Sequence, residues 1–300
     1  MSCKILDGAM GSELFHRGMT LPNHIWSADA NLSNPELVYQ IHKDYIAAGA
    51  DFIIANTFRT TPRAYRKAYS RKQEAGERRK SKGQSNQFYE LAENNAEASL
   101  ISAMKLAKKA AGENIPVIGS IAPLEDCYLP ELYPGAEIAK KEIAQLGNWL
   151  IIAGADILIL ETMNSVQETI TGLSALQQLN IPIWVSFVLK DDSHLLSGEP
   201  IKKAVQQITS FDVGMVLLNC NPITRTEKAV DKLVDNWQGR WGVYPNLGMG
   251  EPSPDGDIQK RESMQKFIQL IEKVIAKGAS VVGGCCGSTP EHIQIIRSLS

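Results

Sequence analysis

The amino-acid sequence predicts an α/β protein, a (β/α)8 barrel. Short, β-rich apolar runs recur along the 300 residues, and each is followed by a longer stretch whose apolar residues have helical spacing. Eight such repeats in a chain of this length suit a closed barrel better than an open, doubly wound sheet. The predicted strands are 3–6, 51–55, 115–120, 156–161, 181–188, 213–219, 241–246 and 279–284.

The stretches between these strands are amphipathic, and several end in Gly-Ala just before the next strand, where glycine is the expected helix stop. One segment breaks the pattern. Residues 66–87 are polar, basic and almost without apolar residues, so we expect a solvated, mobile insertion in a single TIM-barrel domain that spans 1–300. A nucleic-acid patch is the sharper alternative, but the segment lacks the interleaved aromatic residues that such a patch uses.

The composition of the chain argues against nucleic acid and membranes as binding partners. The formal net charge is -2 and charged residues make up 21% of the chain, so no global field favours nucleic acid or an anionic membrane. The longest apolar runs fall short of the roughly 20 residues that a membrane span needs. The first residues, MSCKILDGAMGSEL, lack the features of a secretory signal, and five cysteines argue against a disulfide framework. We therefore expect a cytoplasmic protein with reduced thiols that acts on small-molecule substrates.

Chemistry in such barrels gathers at the C-terminal ends of the strands, so the residues that follow each run are the candidates. Three of the five cysteines occur there: Cys220 follows the sixth strand, and Cys285 and Cys286 follow the eighth. Strand ends also supply Asp7 and Glu161.

Three thiolates from neighbouring strands match a catalytic zinc ion, which keeps three protein ligands and one open position. The glycines at 283, 284 and 287 would let the backbone bend so that Cys285 and Cys286 face one metal, since adjacent residues of a regular strand point to opposite faces. In the alternative interpretation, Cys220 is a buried core residue and the adjacent pair is a redox switch. Spacing alone leaves both interpretations open.

Four stretches resemble the homocysteine S-methyltransferase family in order and spacing, and the resemblance runs nearly end to end. They are ILDGAMGSEL, IWSADANLSNPELVYQIHKDYIAAGADFIIANTFRTTP, LLNCNP and GGCCGSTPEHI. The family includes S-methylmethionine-dependent and betaine-dependent enzymes and the homocysteine domain of cobalamin-dependent methionine synthase. The resemblance implies that Cys220, Cys285 and Cys286 bind Zn²⁺ and that the homocysteine thiolate fills the fourth position, because a zinc-bound thiol is deprotonated at neutral pH.

The same resemblance implies roles for three further residues. Asp7 and Glu161 match family positions that hold the ammonium group of homocysteine. Trp26 matches an aromatic residue near the methyl donor, and an indole face attracts a sulfonium or quaternary ammonium cation. The alternatives are a turn at Asp7, an ion pair at the barrel mouth for Glu161 and ordinary packing for Trp26.

Other polar residues near strand ends are weaker candidates. Asn219, Thr57 and Ser120 would orient polar groups of the substrate, or they would serve only the hydrogen bonding of the barrel mouth. His194, in the loop after the fifth strand, is the remaining histidine to test, on its loop position alone. No histidine stands at a strand end, which agrees with a direct transfer that needs no general base.

Departures from the family pattern bear on the donor. Arg59 follows NTF and Thr162 follows the glutamate, where the betaine-dependent enzyme uses tyrosines around its cation, and Arg59 would repel a quaternary ammonium group. A cobalamin route would need partner proteins that supply folate and corrinoid modules. S-methylmethionine or S-adenosylmethionine fits IWSA and YPN best, and the expected product is methionine.

Rival functions remain. Methyl transfer from another donor or to another thiol keeps the same site. A zinc hydrolase would need a metal-bound water with an acid or base partner, and three thiolates make such water a poorer acid. A non-catalytic zinc or redox sensor would use the adjacent cysteines as a switch.

Overall fold

Eight parallel strands form the centre of the protein. The computed structural model describes residues 3–74, 82–248 and 261–300. The strands are β1 Lys4–Ile5, β2 Ile53–Ile54, β3 Val117–Ile121, β4 Ile157–Met163, β5 Ile183–Phe187, β6 Val213–Pro222, β7 Trp241–Asn246 and β8 Val281–Val282. Their hydrogen-bonded order is β1-β8-β7-β6-β5-β4-β3-β2, so each strand pairs with its neighbours in sequence.

Helices connect the strands and cover the outside of the sheet. They are α1 Met10–His16, α2 Ala30–Ser33, α3 Pro35–Ala47, α4 Pro62–Glu74, α5 Lys82–Ala111, α6 Ala136–Ile152, α7 Val166–Leu176, α8 Ile201–Ile208, α9 Ile223–Val234, α10 Met264–Ala276 and α11 Pro290–Leu299. Short 3-10 helices occur at Trp26–Asp29 and Pro130–Leu132. Gly49 and Gly154 end α3 and α6 at φ angles of 108° and 93°, a conformation that favours glycine.

The sheet closes between its first two strands. Leu6, after β1, forms a parallel bridge with Phe52, and the Asp7 amide donates to the Phe52 carbonyl at 3.1 Å. Each of β8, β1 and β2 has only two residues, and we call these three strands the seam. The prediction of a (β/α)8 barrel is confirmed, with all eight predicted strands present.

Alternate residues of the strands fill two separate cores. In β4, Ile157 and Ile159 belong to the cluster inside the barrel, whereas Leu158 and Leu160 pack between the sheet and the helices. This alternation follows from the two-residue period of a strand. The inner cluster contains Leu6, Ile118, Ile157, Ile159, Trp184, Met215, Leu217, Tyr244 and Val281.

The segment predicted as an insertion, 66–87, coincides with two helices over its described parts. Residues 66–74 continue α4, and α5 begins at Lys82. Residues 75–81 lie outside the described residues, and the mobility of this segment stays a prediction. No helix in the described ranges is both long enough and apolar enough to cross a membrane.

Candidate metal and substrate site

Three cysteines meet at the C-terminal end of the barrel. Cys220 lies near the end of β6, and Cys285 and Cys286 follow β8. The Cys220 Sγ lies 3.3 Å from the Cys285 Sγ and 3.8 Å from the Cys286 Sγ, and the three sulfurs are all within 4.8 Å of one another. Tetrahedral zinc with Zn–S bonds of about 2.3 Å separates its sulfurs by about 3.8 Å. The three thiols therefore fit one metal ion.

The three cysteines shift one another's pKa values. Hydrogen bonds from the Cys285 and Cys286 thiols hold the pKa of Cys220 well below its ordinary value. The same contacts with Cys220 raise the pKa values of Cys285 and Cys286, and burial raises them further. The lowered pKa of Cys220 favours the thiolate, which is the soft, anionic kind of donor that zinc prefers.

Register shifts and positive φ angles in β6 and β4 set the directions of the Cys220 and Glu161 side chains. The pairing of β6 with β7 shifts register between Asn219 and Pro222, and Cys220 has a φ of 56°. The pairing of β4 with β5 shifts between Leu160 and Met163, and Thr162, next to Glu161, has a φ of 59°. Bulges redirect side chains at active sites, and positive φ at non-glycine residues marks backbone strain held by its surroundings.

Cys285 and Cys286 face the same centre because they lie beyond the regular strand. β8 ends at Val282, so the alternation of a strand does not apply to residues 285 and 286. The Cys285 amide donates to the Pro245 carbonyl at 2.8 Å, and the Cys286 carbonyl accepts from the Leu247 amide at 2.9 Å. Backbone contacts with the end of β7 therefore hold this pair in place.

Two buried carboxyl groups line the same cavity. Glu161, in β4, accepts hydrogen bonds from the Ser120 hydroxyl and from the Tyr244 hydroxyl at 3.2 Å. Asp7 follows β1, and its Oδ2 accepts from the Ile54 amide at 3.0 Å. Burial raises the pKa of Glu161 to about 7. Burial also raises the pKa of Asp7 well above its ordinary value, and the nearby Glu161 adds to that effect.

Neither carboxyl group has a cationic partner among the residues that the structure describes. Buried carboxylates are normally paired, because an isolated charge is costly to remove from water. Asp7 and Glu161 are thus suited to receive a cation from a ligand. The alternative interpretation of Glu161, an ion pair at the barrel mouth, is therefore not found among the described residues.

The cavity has a volume of about 680 Å³, enough for a small ligand. Trp26 lines it, at a φ of 44°, in the 3-10 helix after α1. The indole lies directly over Gly11, where an added Cβ would come within 2.4 Å of the ring. The lining also includes Asp7, Glu161, Tyr244 and the three clustered cysteines.

The other polar candidates lie behind the cavity wall. The Asn219 Nδ2 donates to the Thr162 hydroxyl at 2.7 Å, and the Thr57 hydroxyl donates to the Ser120 carbonyl at 2.8 Å. The Ser120 hydroxyl contacts the Glu161 carboxylate. These side chains hold strand ends and Glu161 in place, and direct contact of Asn219, Thr57 or Ser120 with a substrate stays a prediction.

Arg59 and His194 occupy different places. Arg59 lines the cavity, and its Nη1 donates to the Glu125 carbonyl at 2.9 Å. His194 does not line the cavity; its Nδ1 lies 3.0 Å from the Asp191 Oδ1 in an exposed loop.

Two tyrosines of the site were not among the residues predicted to act there, although Tyr244 lies in the YPN segment associated with the donor. The Tyr128 hydroxyl lies 3.5 Å from the Cys220 Sγ, and the Tyr244 hydroxyl contacts Glu161 and lies 2.7 Å from the Ser186 Oγ. Tyr128 comes from the loop after β3, where the residue pattern carries no signal. Tyr244 was detectable in principle, since strand periodicity places it on the inner face of the barrel.

Comparisons with known proteins identify the family of this chain. The sequence model of the family described as homocysteine S-methyltransferase matches residues 4–299. The chain is 30% identical over 310 residues to a homocysteine S-methyltransferase of Escherichia coli (strain K12), an alignment that covers 99% of this chain and 94% of the relative. It is 28% identical over 305 residues to the homocysteine S-methyltransferase YbgG of Bacillus subtilis (strain 168), covering 97% of this chain and 92% of the relative.

A solved structure is similar over the whole chain. The metallated form of the homocysteine methyltransferase MmuM from Escherichia coli superposes with a TM-score of 0.81 at 26% identity, covering 100% of this chain and 97% of that one. The fold, the clustered cysteines and the family match over nearly every residue lead to one conclusion. The chain belongs to the homocysteine S-methyltransferase family.

Proposed function

We propose that this enzyme transfers a methyl group from a sulfonium donor, S-methylmethionine or S-adenosylmethionine, to the thiol of L-homocysteine, with zinc as its metal. One observation carries the proposal. Three cysteine sulfurs within 4.8 Å of one another open onto the same cavity as two buried carboxyl groups without a cationic partner in the described chain. An amino acid with a thiol at one end and an ammonium group at the other matches both features.

Cys220, Cys285 and Cys286 would hold the metal. A zinc ion bound there would act as a Lewis acid that keeps the homocysteine sulfur as its thiolate at neutral pH. Asp7 and Glu161 bind the ammonium group, and that cation offsets the burial that raises their pKa values. Ser120 and Tyr244 hold the Glu161 carboxylate in position through their hydroxyl groups.

The transfer itself is a direct displacement. The homocysteine sulfur bonds to the donor methyl carbon while the carbon–sulfonium bond breaks, and the bonding pair returns to the donor sulfur. The thiol proton is released to solvent before attack, so the thiolate is the nucleophile and methionine and the demethylated donor are the products. Trp26 presents an indole to the cavity, where its face would attract the sulfonium by about 0.5 to 2 kcal/mol. When one cavity holds both reactants, the entropy cost of bringing them together is met on binding, and the barrier to transfer is lower.

The test is methionine formation from homocysteine by zinc-loaded protein. S-methylmethionine, S-adenosylmethionine, betaine and methyltetrahydrofolate are offered in parallel, and zinc is assayed on the same sample. We expect turnover with a sulfonium donor only. Betaine turnover would replace the donor assignment, and one zinc per chain without turnover on any donor would favour another thiol acceptor or a sensor.

Two variants separate the site from the fold. Cys220→Ala is expected to lose both zinc and turnover. Cys3→Ala is the matched control, because Cys3 is a buried free cysteine immediately before β1, at the opposite end of the barrel. Loss of turnover in both variants would point to general damage rather than to the metal centre.

A further inference from the structure

The cavity carries one cation that has no carboxylate partner among the described residues. Three lysine or arginine side chains of the described chain line it: Arg59, Arg63 and Lys67. Arg63 forms ion pairs with Glu125 at 2.9 Å and Glu142 at 2.7 Å, and Lys67 pairs with Glu125. Of these three side chains, Arg59 is the one without a carboxylate at ion-pair distance among the described residues.

The Arg59 guanidinium is held in place by contacts that leave its charge available. Its Nη1 donates to the Glu125 carbonyl at 2.9 Å, and its Nη2 lies 3.7 Å from the Cys127 Sγ. The group also lies 5.2 Å from the centre of the Phe58 ring. A guanidinium has five N–H donors, so two contacts leave donors for a ligand.

A short chain of contacts links Arg59 to the clustered cysteines, and both line the same cavity. Cys127, which it contacts, is followed by Tyr128, whose hydroxyl lies 3.5 Å from the Cys220 Sγ. The cavity thus combines the carboxyl groups of Asp7 and Glu161, which a cationic ligand would keep ionised, with the fixed guanidinium of Arg59. This charge distribution suits substrates that carry both signs of charge.

We propose that Arg59 binds the α-carboxylate of the methyl donor and so selects an amino-acid sulfonium. The inference rests on the proposed function, in which homocysteine occupies the cysteines and Asp7 with Glu161. A guanidinium forms paired, charge-assisted hydrogen bonds with a carboxylate. In S-methylmethionine the carboxylate and the sulfonium stand at opposite ends of the molecule. In betaine one methylene separates the two charges, which would bring the quaternary ammonium against Arg59.

The experiment compares Arg59→Gln and Arg59→Lys with the wild-type, zinc-loaded enzyme. Arg59→Gln is expected to raise the KM for S-methylmethionine by about 10- to 100-fold, the effect of one charged hydrogen bond, while the KM for homocysteine stays unchanged. Arg59→Lys recovers part of the loss. Lys67→Gln is the matched control, because Lys67 lines the same cavity but is already paired.

A second donor identifies the group that Arg59 recognises. The primary amide of S-methylmethionine lacks the negative charge, so the wild-type enzyme should prefer the acid to the amide by a similar factor. Arg59→Gln should use the two donors equally. An Arg59→Gln enzyme that still prefers the acid, or one that loses homocysteine affinity instead, overturns the inference.

Calorimetric titration of S-methylmethionine into the zinc-loaded proteins separates this inference from the proposed function. If the wild-type enzyme binds the donor without turnover and Arg59→Gln binds it more weakly, the proposed function fails and the carboxylate site stands. Equal binding by the two proteins, or no binding by the wild type, overturns the role of Arg59.

Discussion

His42 should make the stability of this protein fall at mildly acidic pH. The side chain is fully buried on α3, and neither ring nitrogen has a hydrogen-bond partner in the described protein. Burial alone lowers the pKa of His42 from 6.5 to about 4. Between those two pH values the unfolded chain binds a proton that the folded chain does not, so the free energy of unfolding decreases as the pH falls. The gap between the two pKa values corresponds to about 3 kcal/mol at pH 4.

The perturbation that isolates this effect is His42→Leu, which removes the titrating ring and keeps an apolar side chain of similar size. The free energy of unfolding, measured by urea denaturation from pH 7 to pH 4, should fall by about 3 kcal/mol more in the wild type than in the variant. Ile41→Val, buried on the same helix, is the control and should be weaker by about 1 kcal/mol at every pH. Parallel pH curves for the wild type and His42→Leu would refute the reasoning.

Three further predictions concern the site. Cys220→Ala should remove bound zinc, measured by metal analysis, and leave the circular dichroism spectrum unchanged, because this ligand lies at a strand end; an unfolded variant would make the metal structural. Glu161→Gln should raise the KM for homocysteine by about 10- to 100-fold through loss of one charged contact, and an unchanged KM would place the ammonium group elsewhere. Gly11→Ala would put a Cβ 2.4 Å from the Trp26 ring, so we expect altered tryptophan fluorescence and a higher KM for the sulfonium donor but not for homocysteine. A variant with wild-type fluorescence and kinetics would mean that the indole is not needed where it lies.

The fold was predictable because apolar strands and amphipathic helices follow from local sequence. The strand predicted at 241–246 has those bounds in the structure. The one predicted at 279–284 is shorter, Val281–Val282, because the chain leaves the sheet before it reaches the cysteines. The residue at which a strand ends is decided by its hydrogen bonding to the neighbouring strands, and apolar composition does not reveal it.

The site was predictable only in part. A barrel brings its strand ends together, so Cys220 and the Cys285–Cys286 pair could be expected to meet. The register shift and the φ of 56° at Cys220 depend on packing across several strands, and a single sequence does not encode them visibly. Tyr128 reaches the cysteines from a loop, and loop conformation follows from tertiary contacts that residue spacing does not reveal.

A metal bound by the three cysteines would affect the stability of the seam. β8 contributes two paired residues to each neighbour, whereas β4, β5 and β6 form longer ladders. A metal held by Cys220, Cys285 and Cys286 would cross-link β6, which has long ladders, to β8, one of the three two-residue strands. Removal of such a metal should loosen β8 and α11 before the rest of the barrel, so proteolytic nicking or fast amide exchange near Ser300 would report metal occupancy.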